Sequence, residues 1–151
     1  LFREQAEKLF ERSDLLIVQE FMPTAFDWRV GIFDRKILFV CRYYMAEEHW
    51  QIIRHDSSRG TSENGNAETL SIQQVPPKLL KTAIRAANLI GDGLYGVDIK
   101  EVNGQFYIIE INDNPNIDAG VEDEITGDDL YLQIMDGILS RVRLMKEQRI
   151  A

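Results

Sequence analysis

The sequence predicts an α+β fold, a mainly antiparallel sheet with flanking helices, from three observations. Residues 26–44 and 93–112 each read as two β-rich runs joined by a short polar turn, Asp34-Arg35 in the first and Asn103-Gly104 in the second. Residues 77–90 and 128–148 carry apolar side chains at helical spacing. No segment repeats another, and at 151 residues the chain is one ordinary domain or a large subdomain.

Each element has its own signal. Leu1 to Arg12 places Leu1, Phe2, Ala6, Leu9 and Phe10 on a helical stripe, and Ser13-Asp14 ends it before an apolar strand, Leu15 to Phe21, closed by Pro23. Residues 26–33 and 37–44 form the first hairpin. A two-residue loop at Asp34-Arg35 pairs Asp27 with Arg42 and sets Asp27, Arg29 and Arg42 on one face. Residues 55–68 are polar and glycine-punctuated, which reads as a mobile loop. Pro76-Pro77 opens a helix that runs to Ile90 and stops at Gly91. The last helix runs from Asp128 to Gln148, with Asp128 and Asp129 at its positive end and Arg141, Arg143 and Lys146 towards its negative end.

The second hairpin carries the chemistry. Asp98 interrupts an apolar run, and Glu110 and Asn112 are two apart, so a strand points both to one face. Carboxylate and amide oxygens suit a hard cation such as magnesium, which is commonly shared between protein carboxylates and substrate phosphates; nucleotide chemistry follows. The metal reading constrains the turn. A two-residue loop at Asn103-Gly104 would pair Asp98 with Ile109 and send Glu110 to the opposite face. A three-residue loop, Val102-Asn103-Gly104, with Gly104 left-handed as a bulge, places Asp98, Ile108 and Glu110 together, and is the expectation. The competing reading sets Asp98 at a strand end and Glu110 on a solvated face, which the apolar run 106–111 disfavours.

Composition narrows the classes. With 25 acidic against 17 basic residues the net charge is -8, which opposes binding to nucleic-acid backbones. The single cysteine, Cys41, excludes an internal disulfide, and no apolar run reaches the length of a membrane-spanning helix. No secretory signal pattern appears, and a cytoplasmic location is the expectation. A calcium loop over Asn112, Asn114, Asn116 and Asp118 fails because Ile117 stands where glycine is required and Pro115 interrupts it. His49 and His55 lack the cysteines or paired spacing of a zinc site. Arg29 has a plain reading as well, pairing with Asp27 or Asp34 on a surface hairpin.

The ordered set Val18-Gln19-Glu20-Phe21, Asp27-Trp28-Arg29-Val30, Arg42, Asp98 and Glu110-Ile111-Asn112-Asp113-Asn114-Pro115-Asn116 resembles the ATP-grasp ligases, in particular the RimK-type branch that joins amino acids to a peptide or protein. The resemblance covers roughly residues 1 to 123. It implies an ATP-grasp-like carboxy-terminal subdomain and an ATP-dependent carboxylate–amine ligase acting through an acyl phosphate. Adenine would meet the backbone of Glu20 and Phe21, and ribose Asp27. Asp98, Glu110 and Asn112 would hold two magnesium ions, with manganese as a substitute, and Arg29 and Arg42 would stabilise the acyl phosphate. Asn114 and Asn116 would orient substrate, unless they only cap the loop. The implied partners are a carboxylate and an amine: an amino acid, a peptide or a protein terminus.

Two departures accompany the resemblance. The RimK-type Arg-Ser-Asn segment is replaced by Trp50-Gln51-Ile52-Ile53, so its contacts do not carry over. A nucleotide-contacting lysine strand and a glycine-rich lid, which precede the hinge in the family, are not in the sequence, so residues 1–151 are expected to form a partial ATP-grasp domain. The alternative function is a nucleotide-binding or interaction module that keeps the fold without turnover.

Overall fold

The computed structural model describes residues 1–45, 53–56, 61–64 and 66–149. Helix α1 (Phe2–Phe10) leads the chain. Strands β1 (Phe26–Phe33), β2 (Lys36–Tyr44), β5 (Ala67–Thr69), β6 (Tyr95–Val102) and β7 (Gln105–Asn112) build one antiparallel sheet in the order β5-β2-β1-β6-β7. β3 (Ile53–Asp56) and β4 (Thr61–Asn64) pair separately as a two-stranded sheet, so the polar stretch expected as a loop includes strands. Trp50, Ile52 and His49 lie outside the described residues. Helices α2 (Pro77–Ile90) and α3 (Asp128–Gln148) complete an α+β fold, with the bounds the sequence predicts.

The two faces of the sheet differ because β-strands alternate their side chains. One face is apolar: Trp28, Val30, Ile32, Val40, Val97 and Ile99 pack on Leu79, Ala83 and Ala87 of α2. On the other, α3 brings Leu130 and Ile134 onto Phe33, Leu38, Phe39 and Cys41, near the turn end of the first hairpin. The rest of that second face holds polar side chains and is termed the site face below.

Both long hairpins close with a tight two-residue turn in the left-handed region, Asp34 and Arg35 at φ 49° and 63°, Asn103 and Gly104 at 52° and 70°. Each also contains one β-bulge, and the bulges overturn both registers expected from the turns. In the first hairpin the register shifts at Gly31/Ile32, leaving Leu38 unpaired, so Arg42 faces Trp28 and Asp27 faces Tyr43. In the second, the loop has two residues rather than three, and a bulge at Ile109 restores Asp98 opposite Glu110 while Ile108 pairs with Ile99 on the opposite face.

The expected strand at 15–21 is not formed. Residues 15–24 carry no regular structure, and Leu15, Ile17, Val18 and Phe21 are exposed. A strand exists only where a neighbour takes up its N–H and C=O groups, and this segment pairs with neither sheet edge, β5 nor β7.

Candidate functional site

Residues opposite one another in an antiparallel ladder share a face, with Cβ atoms about 5 Å apart. The register therefore maps the site face as three rows across the strands. The central row is Cys41, Arg29, Asp98 and Glu110. On one side lie Phe39, Gly31, Gly96 and Asn112. On the other, Tyr43 faces Asp27 and Lys100 faces Tyr107, with Asp27 and Lys100 joined by an ion pair.

Arg29 and Asp98 form a two-pronged pair, Nε donating to Oδ1 at 2.8 Å and Nη2 to Oδ2 at 2.9 Å. That bond raises the guanidinium pKa above its ordinary value, outweighing the opposing effect of burial. The guanidinium also lies 5.1 Å from the centre of the Tyr43 ring. Tyr43 donates its hydroxyl to Oε1 of Glu122, whose Oε2 accepts from the Asp118 backbone N–H at 2.8 Å. Glu122 is only 1% exposed. Burial, then the bond to Glu122, pushes the Tyr43 hydroxyl pKa up.

In the neighbouring row Lys100 Nζ donates to Asp27 Oδ1 at 2.5 Å and to Thr24 Oγ1 at 2.7 Å, and Thr24 donates to the same Asp27 oxygen at 2.8 Å. Asp27, expected at the ribose, is thus already tied to a cation. At the other side Asn112 Oδ1 accepts from the Asn114 N–H at 2.9 Å, an Asx turn that bends the chain after β7. Pro115 then lies over Gly96, where an added Cβ would stand 2.9 Å from the proline ring. Asn114 and Asn116 are exposed beyond this turn, and Glu20 and Phe21 are exposed on the irregular segment before β1.

Arg42 is the residue the structure sets apart. The Leu38 bulge turns it onto the face opposite Arg29, where its guanidinium packs 4.9 Å from the Phe26 ring centre and 4.6 Å from that of Trp28. Its charged partner is Glu68, at 3.5 Å. The structure thus brings Asp27, Arg29, Asp98, Glu110 and Asn112 to one face and leaves Arg42 off it.

Three residues of the site face escaped the sequence reading. Lys100 lies two positions from Asp98 on β6, so strand alternation alone would have placed it. Tyr43 depends on the bulged register and was hidden with Arg42. Glu122 belongs to an acidic loop in which nothing distinguishes the one buried carboxylate from its neighbours.

The donor set fits a hard cation. Asp98, Glu110 and Asn112 offer only oxygens, and each Asp98 oxygen retains lone-pair capacity after binding Arg29. Among the described residues no group of three or more His, Cys, Asp or Glu side chains gathers as a metal site, so the set depends on the amide of Asn112.

Residues 4–138 match the RimK-like ATP-grasp domain. No curated protein matches the sequence. Among solved structures, D-alanine–D-alanine ligase from Bacillus anthracis superposes with a TM-score of 0.61 at 18% identity, over 97% of this chain and 49% of that one. The ATP-grasp ligase PsnB, complexed with a phosphomimetic variant of its minimal precursor, Mg and ADP, gives 0.48 at 21% identity, over 77% of this chain and 34% of that one. The chain spans about half of the first structure and a third of the second. At 18% identity the likeness to the D-alanine–D-alanine ligase is one of fold.

Proposed function

The chain belongs to the RimK-like ATP-grasp family, and from that premise we propose that it forms the metal- and phosphate-binding part of an ATP-dependent carboxylate–amine ligase working through an acyl phosphate. The observation that carries the reading is the central row, Arg29, Asp98 and Glu110 side by side on one face with Asn112 in the next row. An arginine fork beside two carboxylates and an amide provides both for a phosphate and for the cations that accompany it.

Asp98, Glu110 and Asn112 would hold magnesium, two ions in this reading, or manganese in their place. When bound, the metal neutralises charge on the β- and γ-phosphates during transfer. Arg29 acts from the protein side. Its Nε–Nη2 edge is taken by Asp98, which fixes the fork and leaves Nη1 to donate to an oxygen of the acyl phosphate or of the tetrahedral species formed when the amine attacks. Asp27, held by Lys100 and Thr24, would accept from ribose, and the backbone at Glu20 and Phe21 would meet adenine. Asn114 and Asn116, just past the Asx turn, would orient the carboxylate or the amine, an amino acid or peptide. Arg42, stacked on the far face, has a packing role instead.

The second reading, a nucleotide-binding or interaction module without turnover, is favoured by one feature: both Asp98 oxygens already accept from Arg29, so a metal would share them with the guanidinium. Hydroxylamine trapping separates the two. The complete protein, given magnesium-ATP and a panel of amino-acid carboxylates, is expected to form hydroxamate and ADP together, and Arg29→Ala to reduce the rate by about two orders of magnitude. Magnesium-ATP binding with no carboxylate-dependent ADP release would establish the module.

A further inference from the structure

The geometry points to Tyr43 and Glu122 as positioning residues for Arg29, a role that rests on the reading of Arg29 as the group facing the phosphate.

Asp98 fixes Arg29 within the plane of its guanidinium, but a fork held along one edge can still tilt about that edge. The Tyr43 ring supplies the missing restraint. Tyr43 and Arg29 sit on adjacent strands one row apart on the same face, and the ring centre is 5.1 Å from the guanidinium carbon. An aromatic face attracts a cation lying over it, so the ring holds the guanidinium at a second point besides the carboxylate. Two such contacts restrain its tilt more than the carboxylate alone.

The ring is itself anchored, because its hydroxyl donates to Glu122. A carboxylate buried almost completely is costly unless every oxygen is satisfied, and a satisfied one therefore has a sharply defined place. Glu122 binds Tyr43 through one oxygen and the Asp118 N–H through the other, and the adjoining Val121 carbonyl accepts from Thr69 Oγ1 at 2.7 Å. Its negative charge also favours the cationic form of Arg29. The segment that follows Asn112 thus returns to the site through Glu122 and sets the tilt of the arginine. A mere loop anchor would have no such effect on Arg29.

The test reads Arg29 directly, in the unliganded chain, by solvent exchange of its Nε–H in nitrogen-15 NMR. Tyr43→Phe keeps the ring and removes only the hydroxyl. It is expected to speed that exchange by about tenfold while backbone amide protection at Val30 and Val97 stays unchanged. The double variant Tyr43→Phe/Glu122→Leu removes the same bond without leaving an unpaired buried carboxylate, and should show the same loosening. Glu122→Gln, which can keep both contacts with its amide oxygen on the Asp118 N–H and its NH2 donating to the Tyr43 hydroxyl oxygen, should stay close to the parent. If the folded double variant exchanges Arg29 Nε–H at the parent rate, Glu122 only anchors its loop and the proposal fails. Since no ligase activity is measured, that failure is separate from the hydroxamate result.

Discussion

Cys41 stands opposite Arg29 in the central row, fully buried, with its sulfur 3.1 Å from Thr69 Oγ1. Burial is the main influence on its thiol, pushing the pKa from 9.0 up to about 11. A raised pKa in the folded state means that the folded chain holds the proton more tightly than the unfolded one. The associated stability is fully present below pH 9 and is lost as pH rises through about 11. Chemical denaturation at pH 8 to 11 should therefore show the parent losing on the order of 2 kcal/mol more than Cys41→Ala over that interval. Parallel curves would mean that the thiol titrates normally. At this scale alternation alone pairs Glu110 with Asn112 and Asp27 with Arg29; Asp98 joins Glu110 through a bulge that the turn did not predict, and Arg29 joins Asp98 through a strand pairing that no spacing reveals, so that all of them share a face. Arg42 does not, and no property of the arginine itself could have said so.

The reason lies in the elements. The tight turn of the first hairpin was readable from Asp-Arg between β-rich runs, whereas in the second the metal reading led to a three-residue loop where Asn-Gly forms a two-residue one; α2 and α3 were readable from spacing and end signals. A bulge leaves no comparable mark. Leu38 and Ile109 are ordinary apolar residues within apolar strands, yet each shifts every pair beyond it by one. In the first hairpin the shift follows close packing. An added Cβ on Gly31 would lie 2.2 to 2.6 Å from the Phe39 ring, so glycine is what lets that ring lie flat over β1 beside the bulge. Gly31→Ala should accordingly destabilise the fold by about 1–3 kcal/mol, the usual range for overpacking. Trimming the obstructing ring with Phe39→Leu should recover part of that loss in a double-mutant cycle. Strict additivity of the two changes would show that the ring is not what excludes the side chain. The irregular segment 15–24 was misread for the complementary reason. Its apolar pattern suits a strand, but a ladder is a property of two segments and the pattern reports only one.

For the whole molecule the decisive quantity is how much of the site is shielded from water. α2 covers one face of the sheet and α3 one end of the other, while Glu20, Phe21, Glu110, Asn114 and Asn116 all remain exposed. A charge pair 4 Å apart is worth about 1 kcal/mol in bulk water and several times that in a partly shielded cleft. Arg29, Lys100 and any cation at Asp98 and Glu110 therefore attract phosphate weakly from an open face, within a chain whose net charge of -8 opposes an anion. The 151-residue chain by itself is expected to bind magnesium-ATP with a dissociation constant of about 0.1 mM or weaker, corresponding to at most about 5.5 kcal/mol. Raising the ionic strength should weaken it further, because exposed charges are screened over about 10 Å at 0.1 M salt. Calorimetric titration at two salt concentrations measures both effects. A low-micromolar, salt-insensitive constant would mean that these residues already enclose the nucleotide, and the proposal that they form one part of a larger cleft would have to be abandoned.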